Sequence, residues 1–127
     1  MCGILAIWNA SGVSQLAAEK SLSLLKHRGP DAQQLMRLLD GRLCFGHTRL
    51  KVIDTSDSAN QPMTSSCGRY TLIFNGEIVN YREVKQSIPA GWVWQTFSDS
   101  EVLLAAWSHW GEACLHRLVG MLSLIHI

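Results

Sequence analysis

No two cysteines in this sequence lie close enough to form a metal knuckle. Cys2, Cys44, Cys67 and Cys114 are scattered over 127 residues. A structural zinc site wants close pairs, and an oxidised framework wants denser cysteines in a smaller domain. The expectation is four free thiols in a reducing cytoplasm, with no metal and no cofactor bound by this chain. Charge of either sign is also short: 11 basic and 10 acidic residues leave +1, which gives no electrostatic case for nucleic acid or an anionic membrane. No apolar run approaches the ~20 residues of a membrane helix. Nor does any Lys or Arg precede the apolar Gly3-Ile4-Leu5-Ala6-Ile7-Trp8, as a signal peptide would require. Internal repeats and low-complexity linkers are missing too. What remains is one domain's worth of chain, 47% hydrophobic, large enough for a core.

The local patterns mix short strands with separate helices. Residues 3–8 read as a buried strand carrying Cys2 at its leading end, followed by the turn cluster Asn9-Ala10-Ser11-Gly12. Ser14 N-caps a helix over 15–26 with Leu16, Ala17, Leu22, Leu24 and Leu25 for its apolar face, and Gly29-Pro30 stops it. Residues 33–39 and 42–49 read as strands joined at Asp40-Gly41, a two-residue hairpin signal. Residues 50–54 extend the second strand or loop from its end, and 55–66 form a polar surface loop. A strand over 70–74 is broken by Asn75-Gly76 and resumes at 77–79. A short helix follows over 81–87, then a short strand over 91–96. Ser98-Asp99-Ser100-Glu101 resembles a capping box, opening a helix over 99–110 that buries Val102, Leu103 and Ala106. A second helical stretch covers 112–118. With no regular βαβ alternation, the class is α+β.

The chemistry starts at Cys2. Removal of Met1, which a side chain as small as Cys2 permits, would leave one residue carrying a thiol and a free α-amine. A thiol ionises near ~8.5 and an α-amine near ~7.7–8, so the amine is a general base built onto the nucleophile's own carbon skeleton. Three further clusters fit such a site. Arg49, at a strand end, is a planar fork suited to a carboxylate. The Asn75 amide and the Gly76 N–H form a pair of donors suited to an oxyanion. Asp99, in the first turn of a helix, can accept a substrate ammonium. Each has a plainer use when taken alone: a small buried cysteine, a solvated arginine, a type I′ turn, a complement to the helix dipole. Arg28-Gly29-Pro30-Asp31 looks architectural, a helix stop followed by a side chain able to fix a loop.

The clusters occur together and in order: Cys2-Gly3-Ile4, His27-Arg28-Gly29-Pro30-Asp31, His47-Thr48-Arg49-Leu50 with Val52-Ile53-Asp54, Asn60-Gln61-Pro62-Met63, Phe74-Asn75-Gly76-Glu77-Ile78, Ser98-Asp99-Ser100-Glu101-Val102 and Gly120-Met121. That series resembles the glutaminase domain of class II glutamine amidotransferases, in the branch of the glutamine-hydrolysing asparagine synthetases. The resemblance implies an N-terminal-nucleophile hydrolase fold, a four-layer αββα sandwich of antiparallel sheets that is C-terminally incomplete here. It implies Cys2 as nucleophile and Asn75 with Gly76 as oxyanion hole. Glutamine would be bound by Arg49 at its carboxylate, Asp99 at its amine, Glu77 at its polar end, and Leu50, Val52 and Ile53 along the pocket wall. The implied reaction is hydrolysis of L-glutamine to glutamate and ammonia, feeding asparagine synthesis. The partner would be a synthetase domain using ATP and magnesium, absent here; a homodimer is an open assembly. Val79 replaces the tyrosine usual in the family, a change expected to touch packing rather than chemistry.

Two alternatives remain open: an amidotransferase subunit feeding a different acceptor, and an inactive fragment acting only as a binding module. The domain is expected over 1–121. Leu122-Ser123-Leu124-Ile125-His126-Ile127 is what the transposon end of tagmentation libraries encodes in one frame, so 122–127 are expected to be a non-native tail.

Overall fold

The computed structural model describes residues 1–126. Its strands are β1 (Gly3–Trp8), β2 (Ala32–Leu38), β3 (Leu43–Arg49), β4 (Met63–Thr64), β5 (Thr71–Ile78) and β6 (Gly120–His126), and its helices are α1 (Gln15–Ser23), α2 (Tyr81–Ser87) and α3 (Asp99–Trp110), with 3₁₀ turns at Lys26–Arg28, Asp57–Ala59 and Gly111–Arg117. Two antiparallel sheets result, ordered β1-β3-β2 and β4-β5-β6, and the α+β class holds. No helix among the described residues is long and apolar enough to cross a membrane.

Alternation along two strands sets the layers. In β3, Phe45 packs with Ile73 of β5, joining the sheets, while Cys44 turns the other way with Val13 and Ala18 against α1. In β5, Ile73 faces the first sheet whereas Leu72, Phe74 and Ile78 face Val84 of α2 and Val102, Leu103 and Ala106 of α3. Side chains of a strand point to opposite faces in turn. Odd positions of β3 and β5 therefore look into the space between the sheets, and Arg49 and Asn75 are odd. Truncating Phe45, fully buried at the junction, is expected to cost about 3–5 kcal/mol.

Several local expectations need correction. β1 is not buried: it is an edge strand in which Gly3 is covered and Trp8 exposed. α1 ends at Ser23 and buries Ala18 and Leu22, leaving Leu16 and Leu24 outside; Ser14 does cap it through Ala17 N–H. The β2–β3 connection spans four residues rather than two, with Leu39, Asp40 and Gly41 all at positive φ. Residues 55–66 are not simply surface, because Ala59, Gln61, Pro62 and Ser65 are buried. No strand forms over 91–96. That segment is held by the Glu101 carboxylate, which accepts from Trp92 Nε1 and the N–H groups of Gln95 and Thr96. Half of the capping box is therefore real: Ser98 Oγ accepts from Glu101 N–H, while the Glu101 side chain serves the loop. Residues 122–126 lie within β6, paired from Gly76↔Leu122 to Leu72↔His126, and such pairing does not depend on whether those residues are native; Ile127 lies outside the described residues.

Candidate active site

The place of Cys2 follows from strand register. β1 pairs with β3 from Gly3↔Thr48 onward, so one step back sets Cys2 opposite Arg49, on the inter-sheet face shared with Ile4. Its carbonyl accepts from Arg28 Nε at 2.9 Å. Its sulfur receives the Leu50 N–H at 3.4 Å. The motif that looked architectural behaves so. Gly29 lies against β3 so closely that a Cβ would come within 2.3 Å of the Thr48 carbonyl, and Asp31 Oδ2 accepts from Lys51 N–H at 2.8 Å. All four cysteines are free.

Arg49 is 5% exposed, and its guanidinium organises the loop that follows it. One terminal nitrogen donates to Ser56 O at 2.7 Å and Asn60 Oδ1 at 2.8 Å. The other donates to Ile53 O at 3.3 Å and to Asp54 O. Sequence reasoning missed this loop-holding role; it expected a free fork. Asp54, at φ 52°, adds a second tie: its carboxylate accepts from Ser56 and from Phe97 N–H at 2.7 Å. Desolvation works against that carboxylate, but the Ser56 and Phe97 bonds outweigh it and hold Asp54 below the ordinary range.

β5 does not break at Asn75-Gly76. It runs through, because β6 pairs along it, and the glycine is needed for close approach rather than for a turn: a Cβ on Gly76 would sit 2.2 Å from Met121 O. Asn75 shares its face with Ile73 and so looks toward the first sheet and Cys2. Alternate residues of a strand present their N–H groups to the same edge. On that edge Phe74 N–H is taken by Gln61 Oε1 at 2.6 Å and Ile78 N–H by Asp99 Oδ2 at 3.1 Å. Gly76 N–H lies between them, opening on the cavity.

Asp99 is 6% exposed, and burial pushes its carboxyl up despite N–H donors from Ile78, Ser100 and its own backbone; Glu77 beside it pushes the same way. Two carboxylates sharing one cavity wall form a negative site suited to a cation. The cavity itself has a volume of about 310 Å³, at the small end of ligand sites. All of the expected residues line it: Cys2, Arg49, Leu50, Val52, Ile53, Asn75, Gly76, Glu77 and Asp99. Gln61 and Ser100 line it too and were missed. Gln61 stood inside a motif but was assigned to a loop, and Ser100 inside a cap.

With this geometry in hand, comparison with known proteins is direct. A sequence profile described as the glutamine amidotransferase domain matches residues 1–126. Glutamine-hydrolysing asparagine synthetase 1 of Bacillus subtilis is 35% identical over 131 residues, covering 98% of this chain and 20% of the relative. The asparagine synthetase of Sandersonia aurantiaca is 37% identical over 98% of this chain and 24% of its own length. Amidase chry2 of Gibberella zeae is 31% identical, with 98% and 20% covered. The chain thus spans about a fifth of the length of the relatives it matches. It belongs to the glutamine amidotransferase domain family.

Proposed function

We propose that this chain hydrolyses glutamine to glutamate and ammonia through a thioester on Cys2. One observation carries the reading: a single cavity holds a thiol, a strand-edge donor pair, a guanidinium and two carboxylates. With Met1 removed, the Cys2 α-amine takes the thiol proton. The sulfur attacks the side-chain amide carbon of glutamine, a C–S bond forms, and the oxygen becomes an oxyanion received by Asn75 Nδ2 and Gly76 N–H. The amine passes its proton to the departing nitrogen, the C–N bond breaks and ammonia leaves. Water then attacks the thioester, releasing glutamate and restoring the thiol.

Arg49 meets the α-carboxylate, which replaces one of its carbonyl partners; Asp99 and Glu77 meet the α-amine. Leu50, Val52 and Ile53 form the wall along the substrate. Around this site the fold reading is the N-terminal-nucleophile sandwich. The clusters under α1, between the sheets and under α3 support four layers.

The relatives' names and lengths support a longer parent protein that turns the ammonia into asparagine; we place it in the cytoplasm, with a further domain that uses ATP and magnesium to pass the ammonia to aspartate. The likeness to Amidase chry2 keeps a different acceptor as the second reading. The test is glutamate release from glutamine. Cys2→Ala should abolish it and Cys2→Ser nearly so, because a hydroxyl is far less acidic. Release that survives Cys2→Ala rules the mechanism out.

A further inference from the structure

Phe74 stands immediately before the oxyanion pair, and both of its backbone polar groups are held by side chains. β4 pairs Thr64 with Thr71 and Met63 with Leu72. Continued two residues, that register sets Gln61 opposite Phe74. The ladder itself stops at Met63. A side-chain amide takes its place: Gln61 Oε1 accepts the Phe74 N–H at 2.6 Å, and Gln61 Nε2 donates to Ser100 Oγ at 3.1 Å. Phe74 N–H can only donate, which fixes which end of the amide faces it. The carbonyl of the same residue faces His47 Nε2 of β3 at 3.1 Å; a carbonyl only accepts, so Nε2 carries the proton. Gln61 is 4% exposed and His47 1%. Neither touches the reacting atoms in the mechanism above.

We propose that Gln61 and His47 are positioning residues for the oxyanion donors, and that Gln61 also couples those donors to the Asp99 end of the glutamine pocket. The proposal rests on the glutaminase reading. An oxyanion donor works only when it lies within hydrogen-bond distance of where the charge develops, and an ångström of drift costs catalysis heavily. β4 stops short of this part of β5, and a strand edge without a partner is free to move. Gln61 and His47 close it as a neighbouring strand would. Ser100 follows Asp99 in the first turn of α3, so the same amide that fixes Phe74 also touches the helix end that carries the carboxylate.

The experiment is steady-state glutamate release by the full chain, with iodoacetamide alkylation of Cys2 as a second readout. Alkylation, read at Cys2 itself by peptide mass, displaces iodide at the sulfur and needs no oxyanion donor, so an unchanged rate reports an intact nucleophile site and a rate changed in either direction a disturbed one. Gln61→Met and His47→Leu should each lower kcat by about tenfold or more while alkylation stays within about twofold of wild type. For His47→Leu the glutamine KM should hold; for Gln61→Met it should rise as well. His47→Gln, which restores a donor, and Gln61→Glu, which restores the acceptor, should recover kcat to within about threefold. Folded Met and Leu variants with wild-type kcat overturn the proposal, and so do conservative variants that rescue nothing. Should Gln61→Met not fold, Ser100→Ala decides: it must raise KM about threefold with kcat held, and an unchanged KM overturns the coupling. If Cys2→Ala is inert and the clamp variants match wild type, only the clamp falls; if Cys2→Ala still releases glutamate, or wild type releases none, the glutaminase reading falls and takes the clamp with it.

Discussion

At the scale of single residues, Asn75 and His47 make opposite demands on an experiment. Asn75 is assigned to the transition state alone, so Asn75→Ala should cost about a hundredfold or more in kcat while glutamine KM scarcely moves. A collapse in KM with kcat preserved would move Asn75 into the binding pocket instead. His47, proposed above to position the oxyanion donors, also couples folding to pH. Burial drives its pKa down to about 4, opposed by the Phe74 carbonyl and helped by the Arg49 charge, and its Nδ1 has no partner among the described residues. The unfolded chain holds a proton on histidine below about 6.5; the folded chain does not until about 4. Stability is therefore complete above about pH 6.5 and is lost as pH falls toward 4, on the order of 3 kcal/mol in all. Chemical denaturation of wild type and His47→Gln across that range should show the difference closing at low pH; parallel curves would count against a neutral buried imidazole.

At the scale of elements, the N-terminus of α3 combines a favourable dipole with an unfavourable desolvation. Because burial raises the Asp99 pKa, its ionised form opposes folding: stability is lost as pH rises through that raised value, whereas the affinity for an ammonium is gained. Asp99→Asn keeps an acceptor for Ile78 N–H and removes the charge. It should hold or raise the thermal midpoint while lifting glutamine KM at least about tenfold; a fall in midpoint with KM unchanged would make Asp99 a purely structural cap. The same element shows what sequence could reveal. α3, its start at Ser98 and the burial of Val102, Leu103 and Ala106 were readable because caps and helical periodicity are local; the burial of every residue from Asp99 to Ala106 was not, because it depends on the elements packed around the helix. β5 was misread as broken, since Asn-Gly marks turns and only the approach of Met121 explains Gly76. Residues 91–96 were misread as a strand because Glu101 supplies their N–H partners from another element. That Cys2, Arg49, Asn75 and Asp99 line one cavity agrees with their order in the motifs, whereas the place of Gln61 was not legible, because a register two residues past the end of β4 cannot be seen in a linear string.

At the scale of the whole molecule, two sheets meet so that the leading end of β1, the trailing end of β3 and the middle of β5 enclose one cavity. Met1 lines that cavity, so the state of the chain end should act as a switch on the entire site. Intact-mass measurement of active preparations should find Met1 removed, and a fraction retaining it should release no glutamate; activity from a Met1-bearing chain would remove the amine from the mechanism. Finally, Cys2 is moored by its main chain, through Arg28 Nε on its carbonyl and the pairing that begins at Gly3. Only the contacts with Leu50 depend on the sulfur, so the main-chain part of the berth survives a change of side chain. A Cys2→Ala chain should remain a faithful receptor, capturing glutamine in calorimetry without consuming it, and so offers a way to weigh recognition apart from bond breaking.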